Sequence, residues 1–169
     1  MAGGDLERIF AALQAARVRY LVVGGVALVL HGHPRFTADL DLVLALDPPN
    51  VLAAVRALSE LGYRPRAAVD AERFADAETR RRWIEDKRMI VFTLWSPDLP
   101  ATEVDLFAEE PFPFDEAYAR AMRADLGEVQ ATVASIADLI ALKRRSGRPK
   151  DLGDVEVLLA LARDGEGKP

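Results

Sequence analysis

Residues 24–44 read GGVALVLHGHPRFTADLDLVL. The end of this stretch decides the fold. A strand repeats its side-chain direction every two residues. LDLVLAL, residues 40–46, is rich in Leu and Val and is halted by Pro48-Pro49, so it reads as a strand. On it Asp39 and Asp41 project to one face, and Leu40 and Leu42 to the other. Two carboxylates on one face with no cation between them repel each other unless a cation shares them. Mg²⁺ suits that role, because it favours oxygen ligands and keeps water or substrate phosphates in its shell. The competing reading is a solvated polar face on an edge strand. Upstream, Gly24-Gly25 lets backbone N–H groups approach a ligand at the start of a helix, an arrangement that favours phosphate. The plainer reading is a strand-to-helix turn. Thr37 hydrogen-bonds either the turn or a phosphate.

Working outward, Asp5 caps a predicted helix over 6–17, and VRYLVV (18–23) predicts a strand. A short helix over 26–32 leads to the DLDLVLAL strand. A helix over 51–62 follows, between Pro49 and Gly62. Residues 67–87 are charge-rich and fit either a helix or a mobile insertion, with Arg80-Arg81-Arg82 as a solvated face. MIVFTLW (89–95) and TEVDLF (102–107) predict a hairpin around SPDLPA. A helix over 114–123 and an edge strand in EVQATVA come next. Ser135 and Asp138 form a capping-box-like start for a helix over 136–145. Asp151 caps a final helix over 152–163, and residues 164–169 read as a disordered tail. His31 and His33 are two residues apart and share no helix face; a cap or surface role is expected, without zinc. Trp83 and Trp95 read as packing or as a wall beside a nucleobase. The expected architecture is α/β (α+β): a single domain over 1–163, with a mixed sheet, helices mainly on one face, and helices closing the chain.

Composition sets the limits. The chain has 169 residues, 50% hydrophobic and 29% charged, enough for a real core. There is no cysteine, hence no disulfide framework and no Cys-ligated zinc. The N-terminus lacks the pattern of a signal peptide, and no run reaches the length of a membrane span. A cytoplasmic location without a membrane partner is expected. Net charge is −5, with pI about 5.1, which argues against a general nucleic-acid coat. No Walker-type phosphate loop and no Ser-His-Asp arrangement is readable.

The glycine pair, a short apolar helix and then R-x-T-x-D-x-D resemble the active-site signature of nucleotidyltransferases of the DNA polymerase β-like superfamily. The small prokaryotic members resemble it most, including AbiEii-type proteins of toxin–antitoxin and abortive-infection systems. The resemblance spans residues 18–160 and is most specific over 24–41. It implies a nucleotidyltransferase-like mixed sheet and transfer of NMP from an NTP to a hydroxyl, with release of pyrophosphate. It implies two Mg²⁺ ions arriving with the NTP, bound by Asp39 and Asp41. A third carboxylate completes such a site and helps deprotonate the acceptor; Asp105 in EVDLF is the candidate, with Glu103 on the same face as the fallback. KRRSGRPKD (143–151) is the strongest basic cluster. It reads either as charge complementing a helix end or as a clamp on triphosphate or RNA. AbiEii-like proteins carry a lysine on one helix and an aspartate beginning the next, which implies Lys143 and Asp151, with Lys150 and Asp154 as substitutes. The family more often has Gly-Ser where this chain has Gly24-Gly25, so Gly25 offers only backbone.

Catalysis is therefore assigned to Asp39, Asp41, Asp105 and Lys143. Nucleotide binding falls to Gly24, Gly25, Thr37, Lys143 and Asp151. The acceptor is open among a small molecule such as an antibiotic, a tRNA end and a protein hydroxyl. The rival reading is a toxin–antitoxin component that acts by gripping a cognate toxin or antitoxin, with a vestigial site.

Overall fold

The structure is a computed structural model that describes residues 3–167. Seven strands form one mixed sheet: β1 (Tyr20–Val23), β2 (Asp39–Leu44), β3 (Arg64–Pro65), β4 (Val91–Trp95), β5 (Glu103–Phe107), β6 (Met122–Leu126) and β7 (Val129–Val133). Their order across the sheet is β3-β4-β5-β2-β1-β7-β6. Seven helices surround it: α1 (Gly3–Ala15), α2 (Gly24–Leu30), α3 (Pro48–Glu60), α4 (Ala77–Lys87), α5 (Phe114–Ala119), α6 (Ile136–Ser146) and α7 (Pro149–Glu166). None of the described helices is long and apolar enough to cross a membrane.

Register sorts the side chains into two faces. Phe92 lies opposite Leu106, Leu106 opposite Leu42, Leu42 opposite Val22, and Val22 opposite Val133. Directly paired residues share a sheet face, so these five residues make one apolar row. All are almost fully buried. Phe74, from a short 3-10 turn at Ala71–Ala75, stacks on Phe92 at 4.7 Å, and Trp83 of α4 stacks on the same ring at 5.5 Å. The apolar row is thus the face that α4 covers. One residue along, Thr93 lies opposite Asp105, Asp105 opposite Asp41, and Asp41 opposite Val23. That row is the other face, and it carries the polar chemistry. All four residues of β1 are buried, so the middle of the sheet is covered on both sides.

The expected β4–β5 hairpin is present, with antiparallel pairing. Elsewhere the structure differs from the sequence reading. The helix expected over 114–123 stops at Ala119, and residues 122–126 form β6. The physical reason is period two: Met122, Ala124 and Leu126 pack on the core while Arg123 and Asp125 stay exposed. β6 therefore takes the edge, and the strand expected there, β7, lies inside and pairs with β1 in parallel. Gly127 makes the hairpin turn with φ +66°. Residues 67–87 are no loose insertion, because Asp70 and Asp76 cap the 3-10 turn and α4, and Phe74 and Trp83 anchor both. Arg80 is buried rather than solvated. Its guanidinium donates to the Phe74 carbonyl at 2.6 Å and lies 5.6 Å from the Phe74 ring. Finally, α7 begins at Pro149 rather than at a cap on Asp151, since proline takes the first helical position readily. It continues through residues 164–166 of the expected tail; 168–169 lie outside the described residues.

Phe92 holds the second layer through two ring stacks. Phe92→Ala should cost about 3–5 kcal/mol, read as a lower denaturant midpoint, whereas substitution of exposed Glu85 should leave that midpoint within about 0.5 kcal/mol.

Candidate active site

The polar face concentrates its acids where β2 and β5 run side by side. Parallel pairing sets Asp39 opposite Glu103 and Asp41 opposite Asp105. Asp41 and Asp105 are half-buried, and Asp39 is exposed. Burial pushes the Asp41 carboxyl up to about 7, and the charges of Asp105 and Asp39 add to the rise; Lys143 and Lys150 oppose it. Burial raises Asp105 as well, the Thr93 hydroxyl holds it down, and Asp39 and Glu103 push it up. Thr93 Oγ1 donates to Asp105 Oδ1 at 2.6 Å. Thr93 comes from the neighbouring strand β4, so it fixes the carboxylate from the side.

The glycines explain how close the helix comes. Gly24 turns the chain from β1 into α2 with φ +69°, and a Cβ there would collide with Asp41 Oδ2. Glycine is required on both counts. A Cβ on Gly25 would stand 2.8 Å from Thr37 Oγ1. The Thr37 hydroxyl therefore fills the space a side chain at 25 would need. Its one polar contact among the described residues is donation to the Asp39 carbonyl at a long 3.3 Å.

Lys143 reaches this region from α6. Its Nζ donates to Asp151 at 3.1 Å and to Asp154 at 2.8 Å. Asp151 is fully buried. Burial pushes its carboxyl up, but hydrogen bonds from Ser146, Arg148 and Lys143 together prevail and hold it well below the usual carboxylate range. Asp154 also accepts from Arg35 at 2.9 Å. Arg35 belongs to the loop that carries Thr37, so Asp154 ties that loop to the helix pair. The structure thus brings Gly24, Gly25, Thr37, Asp39, Asp41 and Asp105 together on and beside one sheet face. Lys143 lies within electrostatic range of Asp41, and Asp151 stands behind Lys143. Sequence reasoning missed Thr93, and it took in Arg35 only as the first residue of the R-x-T-x-D-x-D signature, without its tie to Asp154. The period-two alternation of MIVFTLW placed Thr93 on a strand but could not pair it with Asp105. His31 Nε2 hydrogen-bonds the Ala134 carbonyl at 2.9 Å, which anchors the end of α2. Trp95 shares the acidic face, with Arg66 5.1 Å and Arg64 5.5 Å from its ring, whereas Trp83 is core.

Among the described residues, no three acidic, His or Cys side chains are drawn together closely enough to form a ready-made metal cage. The donor set still suits Mg²⁺, which takes one or two carboxylates and completes its shell with water and phosphate oxygens. Burial is the main cause of the raised Asp41 and Asp105 carboxyls, and the charges of neighbouring acids add to it, the part a shared cation would relieve.

The sequence profile described as "Nucleotidyl transferase AbiEii toxin, Type IV TA system" matches residues 6–168. The chain belongs to that family. No relative among the curated proteins matches it. Solved structures share the fold. The lincosamide antibiotic adenylyltransferase LnuA superposes with TM-score 0.62 and 15% identity, over 95% of this chain and 98% of its own. The antibiotic-resistance factor ANT(2'')-Ia gives TM-score 0.60 and 15% identity, over 94% of this chain and 82% of its own. A putative nucleotidyltransferase from Thermotoga maritima gives 0.54 and 14%, over 92% and 90%. At such identities the likeness establishes the nucleotidyltransferase fold, which agrees with the mixed sheet read from the sequence.

The acid pair makes a stability prediction for this nucleotidyltransferase. A carboxyl raised in the folded state disfavours folding of its anion, and the penalty grows as pH rises from about 4, the unfolded value, through the folded value near 7. In metal-free protein, Asp41→Asn should therefore raise Tm at pH 8 by roughly 3 °C or more, and by less at pH 5. Equal Tm changes at both pH values, measured by calorimetry in EDTA, would contradict the assigned environment.

Proposed function

We propose that this nucleotidyltransferase is Mg²⁺-dependent and moves NMP from an NTP to a hydroxyl acceptor, within a toxin–antitoxin pair. The observation that supports this reading is the in-register pairing of Asp41 with Asp105, beside Asp39 and against Gly24. Asp39, Asp41 and Asp105 would hold the metal, which screens the charge on the reacting phosphate when bound. The acceptor oxygen attacks the α-phosphorus, the bond from that phosphorus to the bridging oxygen breaks, and pyrophosphate leaves. Asp105 receives the acceptor's proton; its raised carboxyl makes it a better base than an exposed aspartate. Lys143 neutralises phosphate charge, held in place by Asp151 and Asp154. The backbone of Gly24 and Gly25 and the hydroxyl of Thr37 bind phosphate oxygens. The toxin–antitoxin role rests on the family, and it brings a cognate partner protein as a further ligand.

Transfer is tested with α-labelled NTP, Mg²⁺ and three acceptor classes: aminoglycoside or lincosamide, tRNA, and protein. Label should reach one class, and Asp39→Asn should lower the rate roughly 10³-fold. Asp39→Asn with undiminished transfer would refute the assignment. NTP binding without transfer to any acceptor would favour the rival in which the chain acts by gripping a partner.

The crossed positions of Gly25 and Thr37 give a second test. Thr37→Ala removes a hydroxyl from phosphate and should weaken NTP binding roughly tenfold. Gly25→Ser alone meets Thr37 Oγ1 and should also weaken it. The double variant puts a hydroxyl back into the vacated space, so it should bind NTP better than either single variant.

A further inference from the structure

A cleft of about 360 Å³ opens where the end of α1, the start of β1, α5 and the β6–β7 hairpin meet. Arg17, Arg19 and Arg123 line it, and no acidic residue does. It lies beside Tyr20, at the opposite end of β1 from Val23 and Gly24. Three strand steps separate those ends, roughly 10 Å. The cleft is therefore not an extension of the acidic site.

Two guanidinium groups share one ring here. Arg19 and Arg123 each lie 5.1 Å from the Tyr118 ring. Arg123 also donates to Thr132 Oγ1. Of the three arginines, Arg19 alone has a carboxylate partner among the described residues, the 84%-exposed Asp115. Arg17 makes no side-chain hydrogen bond or ion pair among them. Its backbone is the more telling feature. Arg17 follows the end of α1 with φ +55°, where the chain closes with bonds from Arg17 N to the Gln14 carbonyl and from Val18 N to the Leu13 carbonyl. Glycine is the usual residue in that left-handed position, and a side chain there is disfavoured. The chain thus holds a cation against its backbone preference, at the mouth of a cleft that already contains two others. Gln14, Gln130 and Thr132 add neutral hydrogen-bonding groups to the walls.

Guanidiniums lining one cleft, two of them, Arg17 and Arg123, without a carboxylate partner among the described residues, match the oxygens of a phosphoryl group, which arginine binds in a two-pronged way. We propose that this cleft is a second, metal-independent site for a phosphoryl group, carried either by a small phosphate compound or by the backbone of an RNA strand. It does not depend on the transfer reaction assigned to the acidic face.

The test is titration of the full chain in EDTA with inorganic pyrophosphate, and separately with a single-stranded oligoribonucleotide. The decisive variant is Arg17→Gly, which removes the guanidinium and relieves the left-handed backbone, so it should fold at least as stably as the wild type. Saturable pyrophosphate binding weakened about tenfold by Arg17→Gly, and unchanged by Lys143→Met, supports the site and makes its ligand a small phosphate compound. Oligoribonucleotide binding with the same sensitivities, far tighter than pyrophosphate and falling steeply with salt, supports the site and makes its ligand RNA. Absence of binding by either probe overturns the proposal. So does binding that Arg17→Gly leaves unchanged or that Lys143→Met abolishes.

Discussion

Asp41 and Asp105 lie side by side on neighbouring parallel strands, both half-buried; burial makes both harder to ionise, and the charge of Asp105 adds to the effect on Asp41. Parallel pairing places them there, and no shift of one residue is tolerated, because it would turn the carboxylate of the slipped strand into the apolar core. The same register that sends Leu42, Leu106 and Phe92 into the core sends Asp41, Asp105 and Thr93 out of it. Core packing and site geometry are thus two consequences of one alignment. The hydrophobic row holds the strands in step, and the repulsion between the acids is the cost of presenting them together.

The rest of the site answers that repulsion. Gly24 lets α2 start hard against Asp41, and Thr93 donates to Asp105 from the next strand. Lys143 supplies positive charge from α6, and it is itself held by Asp151 and Asp154 of α7. Asp151 is buried with three donors on it, so it costs little as an anion and fixes the lysine's direction. Asp154 links Lys143 to Arg35 on the loop that carries Thr37. The C-terminal helix pair and the β2 approach loop are consequently joined through one carboxylate.

Much of this was legible in the sequence, because its signals were local. Strand alternation placed Asp39 and Asp41 on one face, and the same rule put Asp105 on a strand beside Glu103. The glycine pair and the proline stops marked the turns around them. Other features depend on partners distant in sequence. Thr93 is a hydroxyl like any other until β4 pairs with β5. Arg80 is buried because the Phe74 carbonyl and ring receive it, and an Arg-Arg-Arg run gives no sign of that. β6 was masked by helix-forming neighbours, although its five residues alternate. Asp151 looked like a helix cap, and Pro149 displaced it into the helix, where it became the lysine's buried partner.

The central claim is that the paired carboxylates form a working metal–nucleotide site. Thermal unfolding with each NTP and Mg²⁺ tests it most directly, comparing the wild type with Asp39→Asn/Asp41→Asn and reading the ligand-induced shift rather than Tm itself. At a hundredfold excess over Kd, binding adds about 2.7 kcal/mol, or roughly 5–10 °C for a chain of this length. The account predicts such a shift with at least one NTP, dependent on Mg²⁺ and lost in the double variant. An absent shift with every NTP, or one that survives in the double variant, would contradict it.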